Sequence, residues 1–222
     1  MFIIIYNIFM KRRKTRRQIP KNNYIEKLKS LYPICKKDEN SQNDKYSEHK
    51  ITYGEMNYEG IELLYTYLTK NYFNILPHCF LDVGSGRGKL CLYMAEKHNI
   101  DRSIGIELVE IRYKDSLKLQ EDLRYPTYTN KVEFYNSNIF DISLRHLITT
   151  SPVMVWFSNL CFDPNTTDEI FQKLVNELPN QSIICSSKPP NINIENCEYK
   201  DSITIPMSWF ENSNVYIYQI DM

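Results

Sequence analysis

The segment Asp82-Val83-Gly84-Ser85-Gly86-Arg87-Gly88 places three glycines between an apolar run and an amphipathic one. Glycine at such spacing turns the chain tightly and lets backbone N–H groups come close to a ligand beyond a strand end. The pattern is G-x-G-x-G, not G-x-G-x-x-G, which argues against a dinucleotide pyrophosphate site. Glu107 follows 19 residues after Gly88, at the end of the next predicted strand, where a carboxylate accepts both hydroxyls of a ribose. Asn138 follows the third predicted strand. Its side-chain oxygen suits an adenine amino group, with Ile139 and Phe140 packing on the ring; a plain turn asparagine is the other reading. After the fourth predicted strand comes Phe157-Ser158-Asn159-Leu160-Cys161-Phe162. A polar side chain there accepts from an amino nitrogen, and the aromatic ring faces a developing cation; a loop with a buried Phe is the alternative. An adenosine-bearing cofactor and an amine acceptor fit methyl transfer from a sulfonium. That reaction needs a neutral amine, close approach and orientation more than a strong base.

Those residues must be carried by elements that the hydrophobic pattern makes visible. Helical periodicity covers Tyr58–Tyr72 through Ile61, Leu64, Tyr65 and Leu68. Strands are predicted at Cys79–Val83, Ser103–Leu108, Val132–Tyr135, Val153–Phe157 and Ser182–Ser186. Helices are predicted from the glycine loop to His98, over Ile111–Leu123, near Ser143–Leu147, and over Thr166–Leu178 with a cap at Asn165/Thr166. Ser202–Ile205 and Val215–Ile220 read as a strand pair joined through Trp209–Asn214. Strand–helix alternation followed by two strands without a helix predicts an α/β fold. It is a seven-stranded, doubly wound sheet of the class I S-adenosylmethionine-dependent methyltransferase type, with a closing antiparallel hairpin.

The chain of 222 residues is neutral overall but divided in charge. Residues 1–50 hold 13 Lys/Arg against 5 Asp/Glu, and residues 51–222 hold 14 against 22. The expected organisation is a basic arm and linker over 1–50, containing a short helix at Asn23–Leu31, and a catalytic domain over 51–222. Six of the seven residues Lys11–Arg17 are basic: Lys11, Arg12, Arg13, Lys14, Arg16 and Arg17. Such a run suits nucleic acid, a nuclear import signal or a solvated tail. Met1–Met10 is apolar except for Asn7, but the charge follows it, unlike a secretory signal. Ten residues cannot span a bilayer as a helix, so stable membrane insertion is not expected. The six cysteines form no C-x-x-C pair and several sit in apolar runs. They are expected as free thiols, with no metal site.

Taken together with Tyr53-Gly54-Glu55, Gly105-Ile106-Glu107, Ile184-Cys185-Ser186-Ser187-Lys188-Pro189, Ser208-Trp209, Tyr216 and Ile220-Asp221, these residues resemble the disruptor-of-telomeric-silencing (Dot-one) histone lysine methyltransferases. These are the lysine methyltransferases that lack a SET domain. The resemblance runs from about Ile51 to Met222. It implies S-adenosyl-L-methionine as cofactor and a lysine of the globular core of nucleosomal histone H3 as target. By position, Tyr53, Gly54 and Glu55 close the cofactor pocket. Asp82, Gly84, Ser85, Gly86, Gly88, Glu107, Asn138 and Ile139 hold the cofactor. Ser158 or Asn159, Phe162, Trp209 and Tyr216 line the lysine channel. The implied partners are the nucleosome and, through the basic arm, its DNA. The implied place is the nucleus, or a host nucleus, virion or cytoplasm if the chain is a minimal viral version. Three positions depart from the family: Ser158-Asn159 stands for two asparagines, Asn138 for an aspartate, and Lys89 for an uncharged polar residue. Another amine-directed methyltransferase, acting on a different protein or on adenine, and a catalytically silent chromatin-binding module are the competing readings.

Overall fold

The computed structural model describes residues 21–31, 54–73, 77–123, 131–149 and 152–221. Helix α1 (Lys21–Leu31) precedes α2 (Tyr58–Asn71). Then strands and helices alternate: β1 (Cys79–Val83), α3 (Lys89–Lys97), β2 (Arg102–Glu107), α4 (Glu110–Asp122), β3 (Val132–Asn136), a 3-10 turn Ile139–Asp141, α5 (Leu144–Leu147), β4 (Val153–Phe157), α6 (Pro164–Glu177) and β5 (Ile183–Ser186). The hairpin of β6 (Cys197–Ile205) and β7 (Ser213–Ile220) closes the chain. The seven strands form one sheet in the order β3-β2-β1-β4-β5-β7-β6. β3, β2, β1, β4 and β5 are parallel, and β7 runs antiparallel to both β5 and β6.

Side chains alternate between the faces of each strand. In β1 and β4, Phe80, Met154 and Trp156 join α1, α2 and α3 in one core. Leu81, Val83, Val155 and Phe157 join α5 and α6 in the other. The central strands are buried throughout, as a parallel sheet covered on both faces requires. Register brings the strand ends to a common level: Val83 pairs with both Ile106 and Phe157, Phe157 with Ser186, and Ser186 with Tyr216. Strand order reverses direction between β1 and β4, and the crevice outside that point is where such sheets bind ligands.

Three elements differ from the sequence expectation. The cap of α6 is Asp163, not Asn165/Thr166: its carboxylate accepts from the Thr166 N–H at 3.0 Å and the Thr166 hydroxyl at 2.6 Å. Pro164 occupies the first turn, where its missing N–H costs nothing. β6 begins at Cys197, well before Ser202, with a register shift between Tyr199 and Asp201. It is an edge strand with mostly exposed or half-buried positions, so hydrophobic alternation hardly marks it. Helix α1, assigned to the arm, lies against α3, with Leu28 buried in the core and the Lys27 ammonium donating to the Asp122 carbonyl at 2.6 Å.

Candidate active site

The glycine loop leaves β1 at Val83 and enters α3 at Lys89. Its first N–H groups, at Gly84 and Ser85, both donate to the Ile106 carbonyl, at 2.9 and 3.0 Å. Gly84, Gly86 and Gly88 all have positive φ, which an L side chain adopts only with strain. Gly84 (φ 80°) faces open space, with nothing within 4 Å of where a Cβ would stand, so bare backbone lines the crevice there. Gly88 (φ 74°) is the opposite case: a methyl group would run into the Phe134 ring and Ser116. Gly88→Ala should therefore lower stability by about 2–4 kcal/mol through strain and overpacking together, read as a lower denaturation midpoint at unchanged m-value.

Two carboxylates close this end of the sheet. Glu107 is buried; its Oε2 accepts from the Gly86 N–H at 2.7 Å and its Oε1 from the Val109 N–H at 2.8 Å. Burial pushes its pKa up, opposed by the Val109 N–H, the buried Arg112 charge and the Gly86 N–H. Each oxygen keeps a second lone pair for a hydroxyl donor. Asp82 is fully enclosed on the α3 face; its Oδ2 has the Cys91 thiol at 3.9 Å and its Oδ1 has no hydrogen-bond partner. Burial first, then the Glu107 charge, pushes the Asp82 pKa up to about 8, while the Cys91 contact pulls it down.

The raised Asp82 pKa has a consequence for stability. The folded protein holds this proton at pH values where the unfolded chain, with an ordinary carboxylate, has lost it. The stabilisation is therefore full below about pH 4 and is lost as pH rises to about 8, on the order of 1 kcal/mol per pH unit. Asp82→Asn should melt above the wild type near pH 8, with the gap narrowing toward pH 4. Parallel stability curves for the two proteins would sink the assignment.

A family model described as "Histone methylation protein DOT1" matches residues 34–211. The chain belongs to the DOT1 histone methylation family. No curated protein matches it in sequence. Among solved structures, it is similar to an RNA methyltransferase from Salinibacter ruber in complex with S-adenosyl-L-homocysteine. They share 15% identity over 72% of this chain and 92% of that one, with a TM-score of 0.50. The plantazolicin methyltransferase BpumL in complex with S-adenosyl-L-homocysteine shares 15% identity over 73% and 82%, with a TM-score of 0.52. Magnesium protoporphyrin IX methyltransferase from Synechocystis with bound S-adenosylmethionine shares 14% identity over 72% and 77%, with a TM-score of 0.50. At this identity the likeness shows the fold, that of class I S-adenosylmethionine-dependent methyltransferases.

The structure brings several DOT1-like segments together. Gly54 and Glu55 run antiparallel to the start of the β6–β7 connection: the Glu55 N–H donates to Ser208 Oγ at 2.9 Å, and the Ser208 N–H donates to the Glu55 carbonyl at 2.8 Å. Met56 and Met207 form an isolated bridge beside them. Gly54 packs so closely on the Trp209 indole that any side chain would overlap it. Glu55 also meets the loop end of α3, with its Oε2 2.8 Å from Lys89 Nζ. Ser208 carries no signal in the sequence for this role, because the contact joins residues 153 apart. Tyr53 and Lys11–Arg17 lie outside the described residues.

The segment after β4 separates its two polar candidates. Asn159 is fully buried: its amide nitrogen donates to the Lys188 carbonyl at 3.0 Å, and its amide oxygen accepts from the Lys188 N–H at 2.8 Å. Ser158 is half-buried, and Phe162 packs edge-on against Phe157 at 5.4 Å between centroids. Tyr216 pairs with Ser186 at the carboxyl end of β5, and Trp209 is partly exposed. Asn138 caps the 3-10 turn, its Oδ1 accepting from the Phe140 N–H at 3.1 Å, and Ile139 is buried beside it while Phe140 is exposed. Among the described residues, no three His, Cys, Asp or Glu side chains are grouped as a metal ion would need, and no helix is long and apolar enough to cross a membrane.

Proposed function

We propose that the chain is a histone-lysine methyltransferase that uses S-adenosyl-L-methionine and acts on a core histone of the nucleosome, with histone H3 expected from the family. The carrying observation is the match of a DOT1 family model over most of the chain, on a sheet whose carboxyl ends gather the family's motifs. The residues present fit the cofactor: an open bare backbone at Gly84, a two-oxygen acceptor at Glu107 and an unpartnered buried oxygen on Asp82.

Strand order supports one direction of binding. Asn138 and Ile139 follow β3 and suit the adenine, Glu107 ends β2 and takes the ribose, and Gly84, Ser85, Gly86 and Gly88 border the path toward β1. Gly54 and Glu55, docked on Ser208 and Trp209, are assigned to the cover of this path, and the acceptor approaches from the loop after β4. When bound, the cofactor supplies a methyl group on a sulfonium, open to in-line displacement. The protein's part is to present a neutral amine in line with it. Phe162, Trp209 and Tyr216 are assigned to the lining of the acceptor channel, where an apolar surrounding would disfavour the ammonium form of the target lysine so that its proton leaves to water. Ser158 accepts a hydrogen bond from the neutral amine, and the aromatic faces favour the methylammonium that forms.

The negative charge of residues 51–222 suits a basic histone, and the run Lys11–Arg17 suits the DNA around it. We place the enzyme in the nucleus, or a host nucleus, on that ground. Labelled methyl transfer to reconstituted nucleosomes tests this reading, with the full chain beside one starting at Gln18. The expected result is label on a histone from the full chain and about tenfold less from the shorter one, with a shallower salt dependence. Equal labelling by both would remove the arm from the proposal, and unlabelled histone with bound cofactor would remove the histone.

A further inference from the structure

Lys89 opens α3 directly after Gly88, on a face where a neutral residue would be easier to bury. Its ammonium lies 2.8 Å from Glu55 Oε2, and the two side chains are only 8% and 10% exposed. A pair taken this far out of water adds little to net stability, but each ion binds the other's place tightly, because losing one leaves an uncompensated buried charge. The Glu55 backbone is in turn tied to Ser208 by two hydrogen bonds, one to its side-chain hydroxyl and one from its N–H, and Gly54 packs closely on Trp209. One continuous set of contacts thus runs from the end of the glycine loop, through a buried ion pair, to the indole at the mouth of the β6–β7 connection.

We infer that Lys89 is a positioning residue: through Glu55 it holds the wall that carries Trp209, and so ties the acceptor channel to the cofactor loop. The role of that wall as an acceptor channel rests on the proposed function; the mechanical link does not. An uncharged residue at position 89 would remove the ammonium that lies 2.8 Å from the Glu55 carboxylate. Glu55 would then turn toward water and carry residues 54–56 away from Met207 and Ser208. The lysine's flexible stem and compact charge let the pair survive small shifts of the loop.

Tryptophan quenching reads the link directly. The chain has two tryptophans; Trp156 is buried at 4% exposure and Trp209 is 38% exposed, so acrylamide quenching reports mainly on Trp209. In the wild type, saturating S-adenosylhomocysteine should change the quenching constant. Lys89→Met and Glu55→Gln should each raise it about twofold without ligand. Lys89→Met should raise the acceptor KM about tenfold while the cofactor Kd moves less than about threefold, the split expected when acceptor positioning alone is lost. Lys89→Arg, which keeps the charge, should hold the quenching constant closer to the wild type than Lys89→Met does. Wild-type quenching in Lys89→Met, or a cofactor Kd raised tenfold with Trp209 undisturbed, would overturn the inference. Should Lys89→Met fail to fold, Glu55→Gln and the wild-type response to S-adenosylhomocysteine decide alone, and no response in either overturns it. Quenching needs no methyl transfer, so an inactive protein that shows the full quenching pattern would retire the proposed acceptor and keep the link.

Discussion

Glu107→Ala is expected to weaken S-adenosylhomocysteine binding by about a hundredfold or more while the protein remains folded. The carboxylate is expected to accept two ribose hydroxyls, and hydrogen bonds to a charged group are worth roughly 1.5–3 kcal/mol each. Two of them correspond to a loss of about 10²–10⁴ in affinity. The same side chain also accepts the Gly86 and Val109 N–H groups, so its removal loosens the loop that borders the cofactor. Burial already holds its pKa high, so deleting a carboxylate here relieves desolvation and offsets part of the lost bonding. Calorimetric titration measures the affinity and a thermal melt checks the fold. Glu107→Gln is the sharper control: its NH₂ group must face one of the two N–H donors, so it should bind nearly as poorly. Binding within about threefold of the wild type in both variants would remove the ribose assignment.

The second large effect separates two neighbours. Asn159→Ala should lower stability by about 1–3 kcal/mol, because the Lys188 N–H loses its acceptor and the Lys188 carbonyl keeps only the Ser186 hydroxyl. Methyl transfer should fall with it, since the loops after β4 and β5 are held together there. Ser158→Ala should leave the melting temperature within about two degrees, because its half-buried hydroxyl has no such structural duty. Its effect should appear in kcat, by roughly ten- to a hundredfold, if the hydroxyl accepts from the target amine. Denaturant melts and steady-state kinetics on the two variants decide the matter. Equal stability losses would put Ser158 in the framework; an Asn159→Ala protein as stable as the wild type would free Asn159 to act on the acceptor instead.

The parallel part of the fold was legible because its strands are continuous apolar runs and its loops carry their own punctuation. Gly84, Gly86 and Gly88 follow β1 and sit at positive φ, as a tight strand-to-helix turn demands. The edge of the sheet was harder: β6 exposes most of one side, so only its apolar end, Ser202–Ile205, stood out. Local capping was also misplaced, since Asp163 and Pro164 together start α6 and the sequence offers Asn165 and Thr166 as equal candidates. The Ser158-Asn159 pair offered two acceptors and no means to choose; the commitment of Asn159 to Lys188, 29 residues away, exists only in three dimensions. Lys89 was visible as an odd charge after a glycine loop, but its partner Glu55 lies 34 residues earlier. No periodicity links two such positions; only the docking of 54–56 on 207–208 brings them together.

The most direct test of methyl transfer to a nucleosomal lysine offers one labelled methyl donor to three acceptors side by side: reconstituted nucleosomes, free core histones and naked DNA. The acceptor is then hydrolysed to identify the labelled residue, with Glu107→Ala as the control. Methyllysine from a nucleosomal histone, absent in the control, is the predicted result. Label recovered only as a methylated base of DNA would contradict it.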